Sequence, residues 1–298
     1  MKQNPNISLA ICTYNRSAHL AKALKGLSLL NDSLGIFEQE DELLIIDNNS
    51  SDDTKIIVQQ FESKLPIKYS FESEQGLSVA RNRALKTFTN EIIIFIDDDV
   101  SITESFLDAY REAINQYPEC DFFGGKISVD WQGQKPDWFR SYDLPLINGL
   151  IVHYDMAHDG LEYSIKSLLP YGANFALRRR LIESVGEFDT KLGVKGENIG
   201  RGEETDYFLR ALKKGFSGRF ILNAEVYHRF ESERVTTRYL YRYGIEKGRA
   251  LKTKAKSSYI KKGISVLSYF VRGLLQLMKG RKDRFYQCII NIGIVVGQ

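Results

Sequence analysis

Ile92-Ile93-Ile94-Phe95-Ile96 runs without a break into Asp97-Asp98-Asp99. The apolar run has the length of a strand, is rich in β-branched residues and does not alternate. It therefore predicts a strand covered on both faces, as in a parallel sheet. Three carboxylates cannot share that interior uncompensated. They belong at the strand's carboxyl end, where open α/β sheets bind ligands. Packed like charges invite a divalent cation there, and an oxygen donor set suits Mg2+ or Mn2+ with a phosphate as the further partner. The plainer alternative is a solvated acidic turn that closes a strand.

The rest of the N-terminal half repeats this grammar. Ile7-Ser8-Leu9-Ala10-Ile11-Cys12 predicts a strand, and Thr13-Tyr14-Asn15-Arg16-Ser17 follows as a polar loop. A helix over about 18–30 comes next, with Leu20, Ala23, Leu24, Leu27 and Leu30 on one stripe. Leu43-Leu44-Ile45-Ile46 predicts a second buried strand before Asp47-Asn48-Asn49-Ser50-Ser51-Asp52-Asp53-Thr54 and a helix to about Phe61. Ile67 to Phe71 is a third strand, and Gly76 opens a further helix. Strands and helices alternating at this spacing predict βαβ units on a parallel sheet. Every polar cluster then falls on one edge. Neither G-x-G-x-x-G nor a P-loop pattern is present, so neither fingerprint supports a dinucleotide or Walker-type phosphate site.

The net charge of +3 conceals an asymmetry. Residues 245–298 carry twelve Lys/Arg against Glu246 and Asp283, which leaves residues 1–244 at −7. An acidic body argues against nucleic acid as a partner, and a basic tail points to an anionic surface. Cys12, Cys120 and Cys288 show no metal spacing and no disulfide framework. The apolar run at 7–12 is too short for a signal peptide, so a cytoplasmic chain is expected.

Four segments, Thr13-Tyr14-Asn15-Arg16, Asp47 to Thr54, Gly76-Leu77-Ser78-Val79-Ala80-Arg81-Asn82 and Asp97-Asp98-Asp99, occur in an order and at a spacing that resemble the nucleotide-binding half of a family 2 glycosyltransferase. Tyr171 to Arg179, Val185 to Asp189 and Gly202 to Arg210 resemble its acceptor half, so the likeness covers about residues 5–230. The resemblance implies a GT-A fold: an α/β, Rossmann-like, mostly parallel sheet flanked by helices, here with a helical C-terminal appendage. The expected division is a catalytic domain over 1–232, with a nucleotide-binding half to residue 100 and an acceptor-binding half after it, and a basic tail over 233–298. The implied reaction is metal-dependent, inverting transfer of a sugar from a UDP-sugar to a hydroxyl of a polysaccharide or glycolipid precursor.

In such an enzyme Asp99 is the more direct ligand of Mn2+ or Mg2+. Asp97 lies nearer the ribose or a metal water, and His228 stands where some members place a histidine near the metal. Strand alternation would point Asp97 and Asp99 the same way, leaving Asp98 for a sugar contact, with Asn174 and Trp131 on the acceptor side. Asp47 would accept from the ring N–H of uracil, its alternative being an Asx turn. Thr13 and Asn15 would contact the nucleotide, and Arg81 the diphosphate. Glu204, with Glu203 as second choice, would activate the acceptor hydroxyl. The family's usual pair there is Glu-Asp, so this chain's carboxylate is one methylene longer. Asp206 is expected to hold Arg210 instead. Two rivals remain: a nucleotidyltransferase, and a non-catalytic sugar-nucleotide-binding module.

In the tail, Ile264, Leu267, Val271, Leu274, Leu275 and Met278 recur at helical spacing between clusters of Lys and Arg. The segment is short of the ~20 apolar residues that span a bilayer. It predicts an interfacial helix giving peripheral contact with the cytoplasmic membrane face, or else a helix docked on the enzyme body or on a homodimer partner.

Overall fold

The computed structural model describes residues 4–195, 202–250 and 259–298. These run in the order β1 (Ile7–Thr13), α1 (Ser17–Leu34), β2 (Glu42–Asp47), α2 (Thr54–Gln59), β3 (Ile67–Phe71), α3 (Leu77–Thr87) and β4 (Ile92–Asp97). There follow β5 (Val100–Ile102), α4 (Phe106–Gln116), β6 (Phe122–Asp130), α5 (Pro145–Ile151), β7 (Asn174–Arg178), α6 (Arg179–Val185), α7 (Glu203–Lys213), β8 (Gly218–Arg229), α8 (Thr237–Ala250), α9 (Tyr259–Met278) and α10 (Lys282–Gly297). Of these residues, 4–128, 154–195 and 202–228 form one compact unit; 129–153, 229–250 and 259–298 form another.

The strands make one sheet in the order β3-β2-β1-β4-β7-β6-β8-β5. The pairs β3-β2, β2-β1 and β1-β4 are parallel, as the unalternating apolar runs predict. Parallel pairing stops there: β7 runs antiparallel to both β4 and β6, and β5 antiparallel to β8. Register sets the site. Thr13 lies level with Asp47 and Cys12 level with Asp97, so β1, β2 and β4 end together along one rim.

Two local boundaries differ from expectation. α1 continues to Leu34, because Gly35 takes the left-handed conformation (φ 62°) that terminates a helix and donates back to Asn31 O. β4 ends at Asp97, so Asp98 and Asp99 form the turn into β5 rather than prolonging the strand.

In the second unit, the C-terminal helices share a core with residues 129–153 instead of standing as a separate tail. Val129, Leu144, Ile147, Leu150, Leu240, Tyr243 and Ile290 are its buried centre. α8 and α10 cross at glycines. A Cβ on Gly244 would overlap Ile290 O and crowd Gly293 Cα, and one on Gly248 would overlap Ile294 O. The missing side chains are what allow the two backbones to touch.

Candidate active site

β5 pairs antiparallel with β8, and Val100 sits opposite His228. This pairing brings a histidine from late in the chain beside the aspartates. Asp97, Asp99 and His228 each offer one donor atom, all within 4.8 Å of one another. His228 Nε2 lies 3.3 Å from Asp99 Oδ1, with both side chains buried. His228 Nδ1 has no hydrogen-bond partner among the described residues. Burial raises the Asp97 pKa, and the neighbouring charge of Asp99 raises it further. Carboxylates that repel each other beside an imidazole fit a divalent cation. The convergence expected of Asp97 and Asp99 is therefore present. Its cause is the β5–β8 pairing, since the strand ends too early for alternation to govern Asp99.

Asp98 faces the loop after β1. Its Oδ2 accepts from Thr13 Oγ1 at 2.7 Å, and its Oδ1 lies 3.1 Å from Arg16 Nη1. Arg16 Nη2 donates to Asp99 Oδ2 at 2.7 Å, so one guanidinium spans two of the three aspartates. Burial pushes Asp98 up to about 7, with Arg16 working against that rise. Arg16 received no role from the sequence. The signal was there, in the single cation of the loop Thr13 to Ser17, which must face three carboxylates.

Asn15 sits at φ 49° and stitches the first two loops together. Its amide N–H donates to Ser50 Oγ at 2.9 Å, and its Oδ1 accepts from Ser51 N at 2.7 Å. Asp47 is buried, with Oδ1 accepting from Ser50 N at 2.9 Å and Oδ2 from Tyr69 Oη at 2.7 Å. The first of these bonds closes Asp47's own loop one residue beyond the reach of an Asx turn. Asn48 ties this loop to the start of α3, its Oδ1 accepting from Gly76 N at 2.7 Å. A cavity of about 340 Å³ opens here, lined by Thr13, Arg16, Asn48, Gln75, Gly76, Leu77, Asp97, Asp98 and Val194.

On the acceptor side, α7 begins at Glu203 after Gly202, whose φ of 98° suits glycine. Arg81 Nη1 donates to Glu203 Oε1 at 2.8 Å, and Arg81 Nη2 reaches Gly172 O at 3.4 Å. Phe175 and Phe188 flank the guanidinium at 5.5 and 5.7 Å. Burial works to lower the Arg81 pKa, but Glu203 and Glu204 raise it on balance. Arg81 is thus turned inward onto Glu203, and the arginine that lines the cavity is Arg16. Glu204 Oε2 is buried with no hydrogen-bond partner among the described residues, and burial together with Glu203 pushes the Glu204 carboxyl up to about 8. Asp206 holds Arg210 at 2.7 Å, as its spacing predicts. Asn82 exchanges two hydrogen bonds with the backbone of Phe188, at 2.9 and 2.8 Å.

Asn174 is wholly buried in β7. It donates to Lys126 O and Ala224 O at 3.0 and 2.8 Å and accepts from Tyr110 Oη at 2.7 Å. This side chain ties strands together and shows no face to a sugar. Trp131 belongs to the second unit, where its ring packs on Phe139 and Phe230 with centroids 4.8 and 5.0 Å away. It is an anchor of that unit's aromatic cluster. Of the segment that leads into α7, residues 196–201 lie outside the described residues. Its described beginning is fastened to α3, where Leu77 N donates to Val194 O at 2.9 Å and Ser78 Oγ to Leu192 O at 2.8 Å.

Comparison with known proteins supplies a family for this geometry. Residues 8–186 match the family model described as Glycosyl transferase family 2. The chain is 22% identical over 208 residues to the glucosyl-dolichyl phosphate glucuronosyltransferase of Haloferax volcanii, covering 68% of this chain and 62% of that one. Among solved structures it is similar to the mannosyltransferase PcManGT of Pyrobaculum calidifontis in complex with GDP-Man and Mn2+, with TM-score 0.64 and 16% identity, covering 99% of this chain and 88% of that one. It is also similar to S. aureus TarS 1-349 in complex with UDP-GlcNAc, with TM-score 0.56 and 17% identity, covering 84% and 68%. The parallel half-sheet followed by antiparallel strands is the GT-A fold that the sequence resemblance implies.

Proposed function

The chain belongs to glycosyl transferase family 2, and from that premise we propose that it transfers a sugar from a uridine diphosphate sugar to an acceptor hydroxyl with inversion. The observation that carries the proposal is the meeting of Asp97, Asp99 and His228 at the sheet rim beside the cavity lined by Thr13, Asn48 and Asp98.

Asp97, Asp99 and His228 would hold the cation. One imidazole among oxygen donors favours Mn2+ over Mg2+, and PcManGT is a fold neighbour solved with Mn2+. Bound there, the metal would supply electrostatic stabilisation of the departing diphosphate. Arg16 is the second positive charge on this side. It sits at the mouth of the cavity with its guanidinium on Asp98 and Asp99, within reach of a phosphate that took their place. Asp47 retains acceptor capacity beyond its two hydrogen bonds, which supports its contact with the N3–H of uracil.

Glu204 accepts the acceptor's hydroxyl proton as the new bond to the anomeric carbon forms. The bond from that carbon to the diphosphate oxygen breaks, and its electron pair leaves with UDP. A carboxyl pushed up to about 8 is a stronger base than an ordinary glutamate once ionised. Arg81, through Glu203, fixes the start of α7 and so positions Glu204. The acceptor is a hydroxyl on a saccharide carried by a polysaccharide or a lipid, as in the Haloferax relative, whose name specifies glucosyl-dolichyl phosphate.

The test is a thermal-shift screen of UDP, GDP and their sugars with and without Mn2+, followed by assay of UDP release. Stabilisation by UDP that requires Mn2+, with turnover lost in Glu204→Gln, is expected. Stabilisation by UDP with no release of UDP from any UDP-sugar would make the chain a binding module.

A further inference from the structure

α9 packs on α10 through one mixed face and carries an apolar stripe on the other. Gly273 lies buried against Phe285 and Cys288 of α10, and Ser265, Val266, Tyr269 and Gln276 on the same side are half-buried. The opposite side carries Ile264, Leu267, Val271, Leu274, Leu275 and Met278. Its members are open to solvent, with Leu267 63% exposed and Met278 82%. A helix that packs through one mixed face, and shows water a second face that is uniformly apolar, has no cover for that second face among the described residues. No helix among the described residues is long and apolar enough to cross a membrane.

The charges around the stripe select the occupant. Arg272, Lys279, Arg281 and Lys282 are exposed, and Lys262 is half-exposed. On a helical wheel, Arg272 and Lys279 border one edge of the stripe. Asp283 is the only acid between 259 and 298, and it is buried. Long basic side chains flanking an apolar stripe lay their stems along it and lift their charges to its rim. A second copy of this face would set like charges against one another. An anionic bilayer offers acyl chains to the stripe and phosphate headgroups to the rim.

We infer that the outward face of α9 docks the protein in the plane of an anionic lipid surface, the helix lying at the headgroup boundary without crossing. The inference concerns this helix alone and needs neither nucleotide nor metal, so its failure would leave the transferase reading intact.

Flotation of the full chain with phosphatidylcholine vesicles, with and without phosphatidylglycerol, tests it. The chain is expected to float with the anionic vesicles, to float poorly with the neutral ones, and to be released as salt is raised. Leu267→Glu with Leu274→Glu alters only exposed positions and should keep the thermal unfolding profile. It should weaken vesicle binding at least about tenfold. Arg272→Glu with Lys279→Glu should weaken binding to anionic vesicles by a similar factor. A wild-type chain that stays at the bottom of the gradient, or either pair binding as wild type does, overturns the inference. So does sedimentation equilibrium showing a dimer that Leu267→Glu with Leu274→Glu dissolves, which would make the face a contact between copies.

Discussion

Arg81 Nη1 and Glu203 Oε1 meet at 2.8 Å with both side chains buried. The pair joins α3, which borders the cavity, to the first residue of α7, which carries Glu204. Breaking it from one side leaves an uncompensated charge in the interior. Arg81→Met is expected to destabilise the fold by about 3–5 kcal/mol, and Arg81→Met with Glu203→Leu by clearly less. Urea denaturation of the two variants measures the difference. Turnover in the double variant should fall even though stability recovers, because Glu204 loses its fixed neighbour.

Glu204 ties activity and stability to pH in opposite senses. Its carboxyl is pushed up to about 8 by burial and by Glu203, whereas in the unfolded chain a glutamate ionises near ~4.3. Its folded pKa is raised, so its contribution to stability is fully present below the unfolded value and is lost as pH rises through 8. Glu204→Gln should melt close to wild type at pH 4 and above it at pH 9. The wild-type kcat/KM should climb with pH through about 8, and Glu204→Gln should lose about 10²- to 10⁴-fold in turnover.

For the metal, Asp99→Asn and His228→Ala should each remove the stabilisation by Mn2+. At a hundredfold excess over its dissociation constant, a cation that binds only the folded state adds about 2.7 kcal/mol, a rise of several degrees in Tm for wild type. Chelation by EDTA should abolish UDP release, and Mn2+ should restore it more fully than Mg2+. Melting curves of the two variants that still rise with Mn2+ would place the cation elsewhere.

Asn174→Ala separates a strut from a sugar contact. The change strands Tyr110 Oη and two backbone carbonyls in the interior, so a loss of about 3 kcal/mol is expected. The KM for acceptor should be unchanged in the fraction that folds. A selective rise in that KM, measured below the melting range, would give the residue back to the substrate.

Residues whose partners lie nearby in the sequence pattern were legible from it. The apolar runs specified β1, β2 and β4, and parallel pairing then brought their polar ends to one rim. Asp206 and Arg210 met because four residues on a helix place them on one face. What the sequence could not show were relations created by long-range pairing. Arg81 reads as a phosphate ligand until α7 folds back to supply Glu203. Arg16 acquires its role only when β1 and β4 are seen to lie side by side. His228 was expected near the metal through the family resemblance alone; the pairing that brings it there runs through β5, a strand of three residues whose pattern is too short to register. Trp131 looked like a sugar platform because tryptophan serves both there and in aromatic cores, and only packing distinguishes the two.

The reversed direction of β7 has a consequence for how a chain of this kind diversifies. Because β7 enters against β4, the segment feeding it, Tyr171 to Ala173, arrives at the rim where β1, β2 and β4 finish, and Gly172 O meets the guanidinium of Arg81 there. Two sets of loops from unrelated parts of the chain thus share one border while hanging from different strands. Insertions on the β7 side can reshape what receives the sugar and leave untouched the strands that present what donates it.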